Sequence, residues 1–300
     1  MLKKAMFLVL IVGLLGFGFG AGSAFALDLK HHQVYKLDGS MGVDDIMRIA
    51  YFNLYTKFAY DYQSTGYVHL IEKSGARRQR TFLRQRIILG RAEGDIDYKD
   101  VTMFTGPTSV KGLGILSWTY MEYGRDPDQW LWLPSLRKVR KISAAQGDDA
   151  FLGSDFTTEE ITTRKLEDET YKLLKEEKFG GYTSGFNGRA YFKDADCFVI
   201  EARPKRDPWY YSKRVVWIDK ETGGGIYQEI YDATGRKYKI IFKNYEIKKV
   251  DGRDYPTQSL LEVKNLRTGH STVIEMKDIR FDQGLKEGNF SERMLRRSKW

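Results

Sequence analysis

The 300-residue sequence predicts a mainly β fold of the α+β class, built on a many-stranded, strongly curved antiparallel sheet. Three observations point there. Apolar and polar residues alternate in runs of strand length from about residue 66 to residue 281. Many of the separators are short and turn-like, among them Ser74-Gly75, Asp251-Gly252 and Thr268-Gly269, so consecutive strands should form hairpins and meanders. Aromatic residues are plentiful, with 19 Tyr and 17 Phe against only 6 Pro, which suits strands better than helix bundles.

The chain opens on a leader. Lys3 and Lys4 precede the uncharged apolar run 5–19, and Ala24-Phe25-Ala26 is a small-x-small cleavage site. This reads as a secretory signal peptide, residues 1–26, cut after Ala26. An uncleaved anchor is the rival reading, disfavoured by the shortness and glycine content of the run. Leu27 follows the cut, so no cysteine is placed there for lipid attachment. Loss of Lys3 and Lys4 takes the net charge from +9 to +7. An exported basic protein is not expected to meet nucleic acid. Its charge suits anionic lipid headgroups, or plain solubility.

Residues 27–42 read as an irregular lead-in that contains His31-His32. Val43, Met47, Ala50, Leu54 and Phe58 then share one helical face, with Asp44 and Asp45 in the first turn and Lys57 near the end. Strands are expected near 66–73, 80–90, 97–104, 113–123, 128–133, 137–142, 169–178, 189–193, 196–203, 213–219, 225–232, 236–248, 257–266 and 271–281. In 236–243, Tyr238, Ile240 and Phe242 are expected on one side and Lys237, Lys239 and Lys243 on the other, with Ile241 breaking the rule. In 258–264, Leu261 and Val263 oppose Glu262 and Lys264, the pattern of a sheet with one wet face. The stretch 143–164 is too long for a hairpin turn, and Thr157 with Glu160 forms a capping-box pattern for a short helix. Phe290, Met294 and Leu295 behind Ser291 predict a closing helix. No repeat, linker or break in composition divides the chain, so residues 27–300 read as one domain.

The sequence offers little for catalysis. It has no G-x-S-x-G elbow, H-E-x-x-H motif or P-loop. Gly153-Ser154-Asp155 is better read as a turn than as a nucleophile site, and the adjacent acidic pairs Asp148-Asp149 and Glu159-Glu160 as solvated charges. The single cysteine, Cys197, lies in the apolar run Cys197-Phe198-Val199-Ile200 and reads as a buried small hydrophobe. With four His and one Cys, no metal site or cofactor is expected, and the protein reads as a non-enzyme.

The distinctive material is apolar and basic. In Asp128-Gln129-Trp130-Leu131-Trp132-Leu133-Pro134 both faces are apolar, so this strand should be covered on both sides. Leu116, Trp118 and Tyr120 form one face of the strand before it. Such a sheet suits a pocket for an apolar ligand, and an ordinary core needs the same residues. Arg78, Arg80, Arg84 and Arg86 share a strand face around Phe82. Arg137 and Arg140 lie in a basic run, and the tail adds Arg293, Arg296, Arg297 and Lys299. These are a wet surface, or a surface for anionic lipid or an acidic partner.

The block Asp128–Pro134, then Leu136-Arg137-Lys138-Val139-Arg140-Lys141-Ile142, then Phe151-Leu152-Gly153-Ser154-Asp155-Phe156 closely resembles the signature of the LolA-like outer-membrane lipoprotein-sorting proteins. Gly106-Pro107, Val110-Lys111-Gly112 and Leu116-Ser117-Trp118 are similar to the segment that precedes it, and Phe290 to Leu295 fits the family's usual end. The resemblance runs through residues 43–297 and is nearest the branch with spirochaete lipid-binding relatives. It implies a LolA/LolB-like fold: a half-open antiparallel β-barrel, its concave side closed by helices and holding acyl chains. It implies no catalytic residues. The expected role is a soluble periplasmic carrier of lipoproteins or other lipids, with an inner-membrane transporter and an outer-membrane acceptor as partners and peripheral contact with membranes. An accessory docking protein of an envelope transport complex and, further off, an envelope hydrolase are the alternatives. The expected cavity wall is Trp118, Tyr120, Trp130, Trp132, Phe198, Ile200, Trp217, Ile240 and Phe242. Expected headgroup or partner contacts are Arg78, Arg80, Arg84, Arg86, Arg137 and Arg140. A one-residue slip in register would turn any of these to the opposite face. The stretch 143–164 is the expected lid.

Overall fold

The computed structural model describes residues 29–297, apart from 55–56, 91–94, 123, 143–149 and 162–163. The leader and its cleavage site lie outside the described residues. Helix α1 (Val43–Leu54) forms where expected, with Asp44 and Asp45 in its first turn and Ile46, Met47, Ile49 and Ala50 buried. It is shorter than its apolar stripe. Lys57 lies beyond its end and pairs with Asp97, and Phe58 packs among Phe52, Tyr255 and Phe281.

Six strands follow in a meander: β1 (Asp61–Ile71), β2 (Arg77–Ile88), β3 (Ile96–Gly106), β4 (Gly114–Tyr120), β5 (Asp128–Leu133) and β6 (Lys138–Ile142). Short helix α2 (Thr158–Ile161) lies in the connection to β7 (Glu169–Lys178). Then come the two-residue strands β8 (Tyr182–Thr183) and β9 (Ala190–Tyr191), followed by β10 (Asp196–Pro204), β11 (Lys213–Asp219) and β12 (Gly225–Tyr231). The long strands β13 (Lys237–Val250), β14 (Arg253–Asn265) and β15 (Ser271–Phe281) precede the closing helix α3 (Glu292–Arg297). No described helix is long and apolar enough to cross a membrane.

Thirteen of these strands form one antiparallel sheet in the order β6-β5-β4-β3-β2-β1-β15-β14-β13-β12-β11-β10-β7. The chain enters at the middle of the sheet and steps outward to the β6 edge. After β6 the chain resumes at the opposite edge in β7, and it steps back until β15 pairs with β1. Edges β6 and β7 do not pair with each other, so the barrel stays half open. The β8–β9 hairpin stands apart, where the sequence suggested a single strand at 189–193.

Cross-strand register defines the two faces. Directly opposed residues share a face, and successive residues along a strand lie on opposite faces. The inner face carries α1, which packs on Phe198, Ile200, Val216 and Ile218 of β10 and β11. It also carries the 150–161 segment, whose Phe156 sits among Phe82, Phe104, Ile230 and Leu261. Gly66 lets this face close: a Cβ there would lie 2.5 Å from the Phe82 ring and 2.2 Å from the Glu275 carbonyl oxygen. The outer face is covered in two places. Leu295 of α3 and Phe290 pack on Leu116, Trp130 and Trp132, and a Cβ on Gly114 would meet the Leu295 side chain at 2.8 Å. The β8–β9 hairpin lies over Phe242, Leu260 and Val273.

Candidate functional site

Among the described residues, a recess of about 420 Å³ lies beside the 150–157 stretch, bordered by Phe156, Tyr210, Lys239 and Arg267, and two smaller cavities lie on the inner face. The first of these two lies between α1 and strands β11 to β13 and takes its apolar wall from Met47, Ala50, Leu54, Leu166, Val216 and Ile218. The second lies over β1 to β4 and β15, lined by Val68, Phe82, Phe104, Ile115, Ile274 and Met276. Their volumes are about 50 Å³ and 60 Å³. On the same measure one water needs roughly 10–15 Å³, so each cavity has room for a few water-sized groups.

One segment closes both. Glu159 and Glu160 of α2 line the first cavity, while Phe151 and Ile161 line the second. The capping box read from the sequence is present: Thr157 N donates to Glu160 Oε2 at 2.8 Å, and Glu160 N donates to Thr157 Oγ1 at 3.2 Å. Asp155 ties the segment to β15, its N donating to Thr272 Oγ1 at 3.0 Å while that hydroxyl donates to Asp155 Oδ2 at 2.9 Å. Lys239 Nζ reaches Glu160 Oε2 at 3.0 Å.

The floor of the first cavity is charged. Glu169 is fully buried and accepts from Arg214 Nε at 2.8 Å and from Tyr211 Oη at 2.8 Å, while its second oxygen pairs with the Arg214 Nη2. Arg214 also donates to Gln228 Oε1 at 2.7 Å. Burial alone would raise the Glu169 pKa, but Arg214 and Arg164 outweigh it and hold the carboxyl at about 2. Arg164 pairs with Glu159 at 3.3 Å and donates to Tyr210 Oη at 3.0 Å. Lys243 also lines this cavity, only 3% exposed. Burial, reinforced by the Arg164 and Arg214 charges, pushes its pKa down to about 7. In the second cavity Arg84 and Arg86 share Asp100, at 2.9 Å and 2.7 Å. Among the described residues no three His, Cys, Asp or Glu side chains converge as a metal site requires.

The expected aromatic wall is split by the sheet. Phe198 and Ile200 lie on the inner face under α1. Trp118, Tyr120, Trp130 and Trp132 are on the outer face: Leu116 opposes Trp130, Trp118 opposes Asp128, and Tyr120 Oη donates to Asp128 Oδ2 at 2.7 Å. Trp118 Nε1 donates to the Phe290 carbonyl oxygen at 2.9 Å, which ties this face to the C-terminal segment. Trp217, Ile240 and Phe242 are outer too, by the pairs Trp217–Tyr227, Tyr227–Phe242 and Glu229–Ile240. The reason is that β4, β5 and β13 are apolar on both sides, because α3 and the β8–β9 hairpin cover the back of the sheet. The β13 lysines correct the expectation in the same way. Lys239 and Lys243, expected in water, turn inward and are 4% and 3% exposed. Ile241, the apparent exception, marks the inner side, opposite Val263.

The arginines also divide. Arg78, Arg80, Arg84 and Arg86 do share the inner side of β2, by register with Leu70, Val68, Ser64 and Tyr62. Arg84 and Arg86 are committed to Asp100, Arg80 donates to the Leu152 carbonyl oxygen at 2.8 Å, and Arg78 is exposed beside Glu72. Arg137 and Arg140 are exposed at the β6 edge. Cys197 is buried as expected, its thiol pushed up to about 12 by burial. His32 is tied into the fold, its Nε2 lying 2.7 Å from Asp282 Oδ2. Glu169, Arg214 and Lys243 had no sequence signal as a cluster. The one available clue was charged residues placed in phase with the apolar residues Ile241 and Val216.

An open antiparallel sheet wrapped on a helix and closed by its own edge-to-edge connection is the LolA-like architecture, and the comparisons place the chain in it. A family model described only as an uncharacterized protein matches residues 97–297, and the chain belongs to that family. A domain from Vibrio parahaemolyticus, provisionally assigned as an outer membrane lipoprotein-sorting protein, is 28% identical, with a TM-score of 0.69 over 85% of this chain and 100% of its own. A DUF1329 family protein from Desulfovibrio piger is 26% identical, with a TM-score of 0.70 over 84% of this chain and 98% of its own. A LolA superfamily protein from Nitrosomonas europaea shares the fold at 17% identity, with a TM-score of 0.58 over 85% of this chain and 99% of its own. No sequence among the curated proteins matches the chain.

Proposed function

We propose that the chain is a soluble periplasmic carrier that takes the acyl chains of lipoproteins or other lipids onto the inner face of its sheet, for transfer to the outer membrane. The observation that carries this reading is the 150–161 segment. It closes two apolar-walled cavities at once and belongs to the connection that joins the two unpaired edges of the sheet. The likeness to a domain assigned to lipoprotein sorting supports it. Burying one methylene is worth about 0.8 kcal/mol, so a lipid with some 25–30 buried methylenes would lose on the order of 20 kcal/mol by entering water. Crossing an aqueous compartment therefore needs a container. The two smaller cavities hold only a few water-sized groups, so cargo enters them when the segment swings away, and it acts as the lid.

The β6 edge suits contact with a membrane during loading and delivery. Leu136 is 53% exposed beside Arg137, Lys138 and Arg140, an apolar tip amid cations of the kind that anionic headgroups attract. The test is lipid transfer. Donor vesicles carrying a fluorescent phospholipid and unlabelled acceptor vesicles are separated by a dialysis membrane that passes the protein and not the vesicles. Label should reach the acceptor in proportion to added protein. Label retained in the donor at every protein concentration would refute the carrier.

A further inference from the structure

We propose that Lys243 makes the first cavity a receptor for the anionic head of its ligand, a carboxylate or phosphate, with the apolar wall taking the attached chain. The inference rests on the carrier reading and names the class of cargo.

The cations of this cavity are not equally satisfied. Arg214 is held by Glu169 and Gln228, and Arg164 by Glu159 and Tyr210. Glu160, whose charge favours the Lys243 ammonium, is already engaged by Lys239 and the Thr157 amide. Lys243 Nζ has no hydrogen-bond or ion-pair partner among the described residues, although the side chain is buried and lines the cavity. A buried ammonium without a partner is costly. The cost falls when an anion enters, because a charge-assisted hydrogen bond forms in a cavity with room for only a few waters.

The surroundings define the ligand further. Met47, Leu54, Val216 and Ile218 stand beside the charged floor, so the cavity is amphipathic. Such a site holds a charged end against Lys243 and an alkyl chain along α1. A neutral head would leave the ammonium unpaired.

The test compares palmitate, hexadecanol and inorganic phosphate on the purified, delipidated chain and on Lys243→Met. A charge-assisted hydrogen bond to a buried cation should make palmitate bind about 10- to 100-fold tighter than hexadecanol. Lys243→Met should abolish this preference, so that palmitate binds no tighter than hexadecanol. The variant should melt no lower than the parent, and Lys243→Gln serves if it does not fold. Equal palmitate binding by parent and variant overturns the assignment of Lys243. Equal binding of palmitate and hexadecanol by the parent overturns the head-group site and leaves the carrier reading standing. Lys243-dependent binding of phosphate, without either chain-bearing probe, keeps the anion site and removes the carrier reading. Absence of all binding removes both.

Discussion

Replacing Glu169 by glutamine is expected to remove about 3–5 kcal/mol of folding stability at neutral pH, the usual loss when one partner of a buried ion pair is deleted. Glu169 is fully buried and accepts from both Arg214 and Tyr211. Glutamine keeps the volume but leaves Arg214 charged in a site that already holds Arg164 and Lys243. The pH dependence identifies the cause. Against the effect of burial, Arg214 and Arg164 hold the Glu169 carboxyl at about 2 in the folded protein, well below its ordinary value of 4.5. Its folded pKa is depressed, so its contribution is present above about pH 4.5 and is lost as pH falls toward 2. That depression is worth on the order of 3 kcal/mol. Urea unfolding should therefore show a gap between parent and variant that is widest at pH 6–7 and narrows below pH 4. A gap that stayed constant down to pH 3 would mean that packing, not charge, is what the substitution removes.

Phe156→Ala should act on binding more than on the fold. Phe156 is 1% exposed and is the most deeply buried apolar side chain of the proposed lid, set among Phe82, Phe104, Ile230 and Leu261. Truncating a buried phenylalanine costs about 3–5 kcal/mol. Where a segment can open locally, that cost falls on the closed form and raises the open population. A shift of about 3 kcal/mol is roughly a 100-fold change in that population, and apparent affinity scales with the competent fraction. An acyl probe should bind Phe156→Ala about 100-fold more tightly than the parent, measured by fluorescence titration. Trp130→Ala is the control. It opens a void of similar size on the outer face, beneath α3, and should lose comparable stability with no gain in affinity. The lid assignment fails if the two variants bind alike.

Much of this arrangement was legible in the residues. Turn signals such as Asp251-Gly252 placed the hairpins, the Thr157 and Glu160 pair placed α2, and the stripe from Val43 placed α1. The block from Asp128 to Phe156 carried the family. Side-chain direction was not legible, for a physical reason. In a sheet wet on one face, polarity marks the outside; here β4, β5 and β13 are covered on both sides. Trp130 faces α3, Phe242 faces the β8–β9 hairpin, and Lys243 faces inward. Burial of a charge depends on partners from distant segments, so Glu169 at the start of β7 could not be matched in advance with Arg214 on β11. The strands β8 and β9, two residues each, are too short for any alternation to appear.

The proposed carrier holds acyl chains on its inner face. The most direct measurement is a native mass spectrum of the chain purified from cells under mild conditions. Added mass in the lipid range is expected, disappearing on organic extraction and returning after incubation with lipid vesicles. A bare mass before and after such incubation would contradict the carrier.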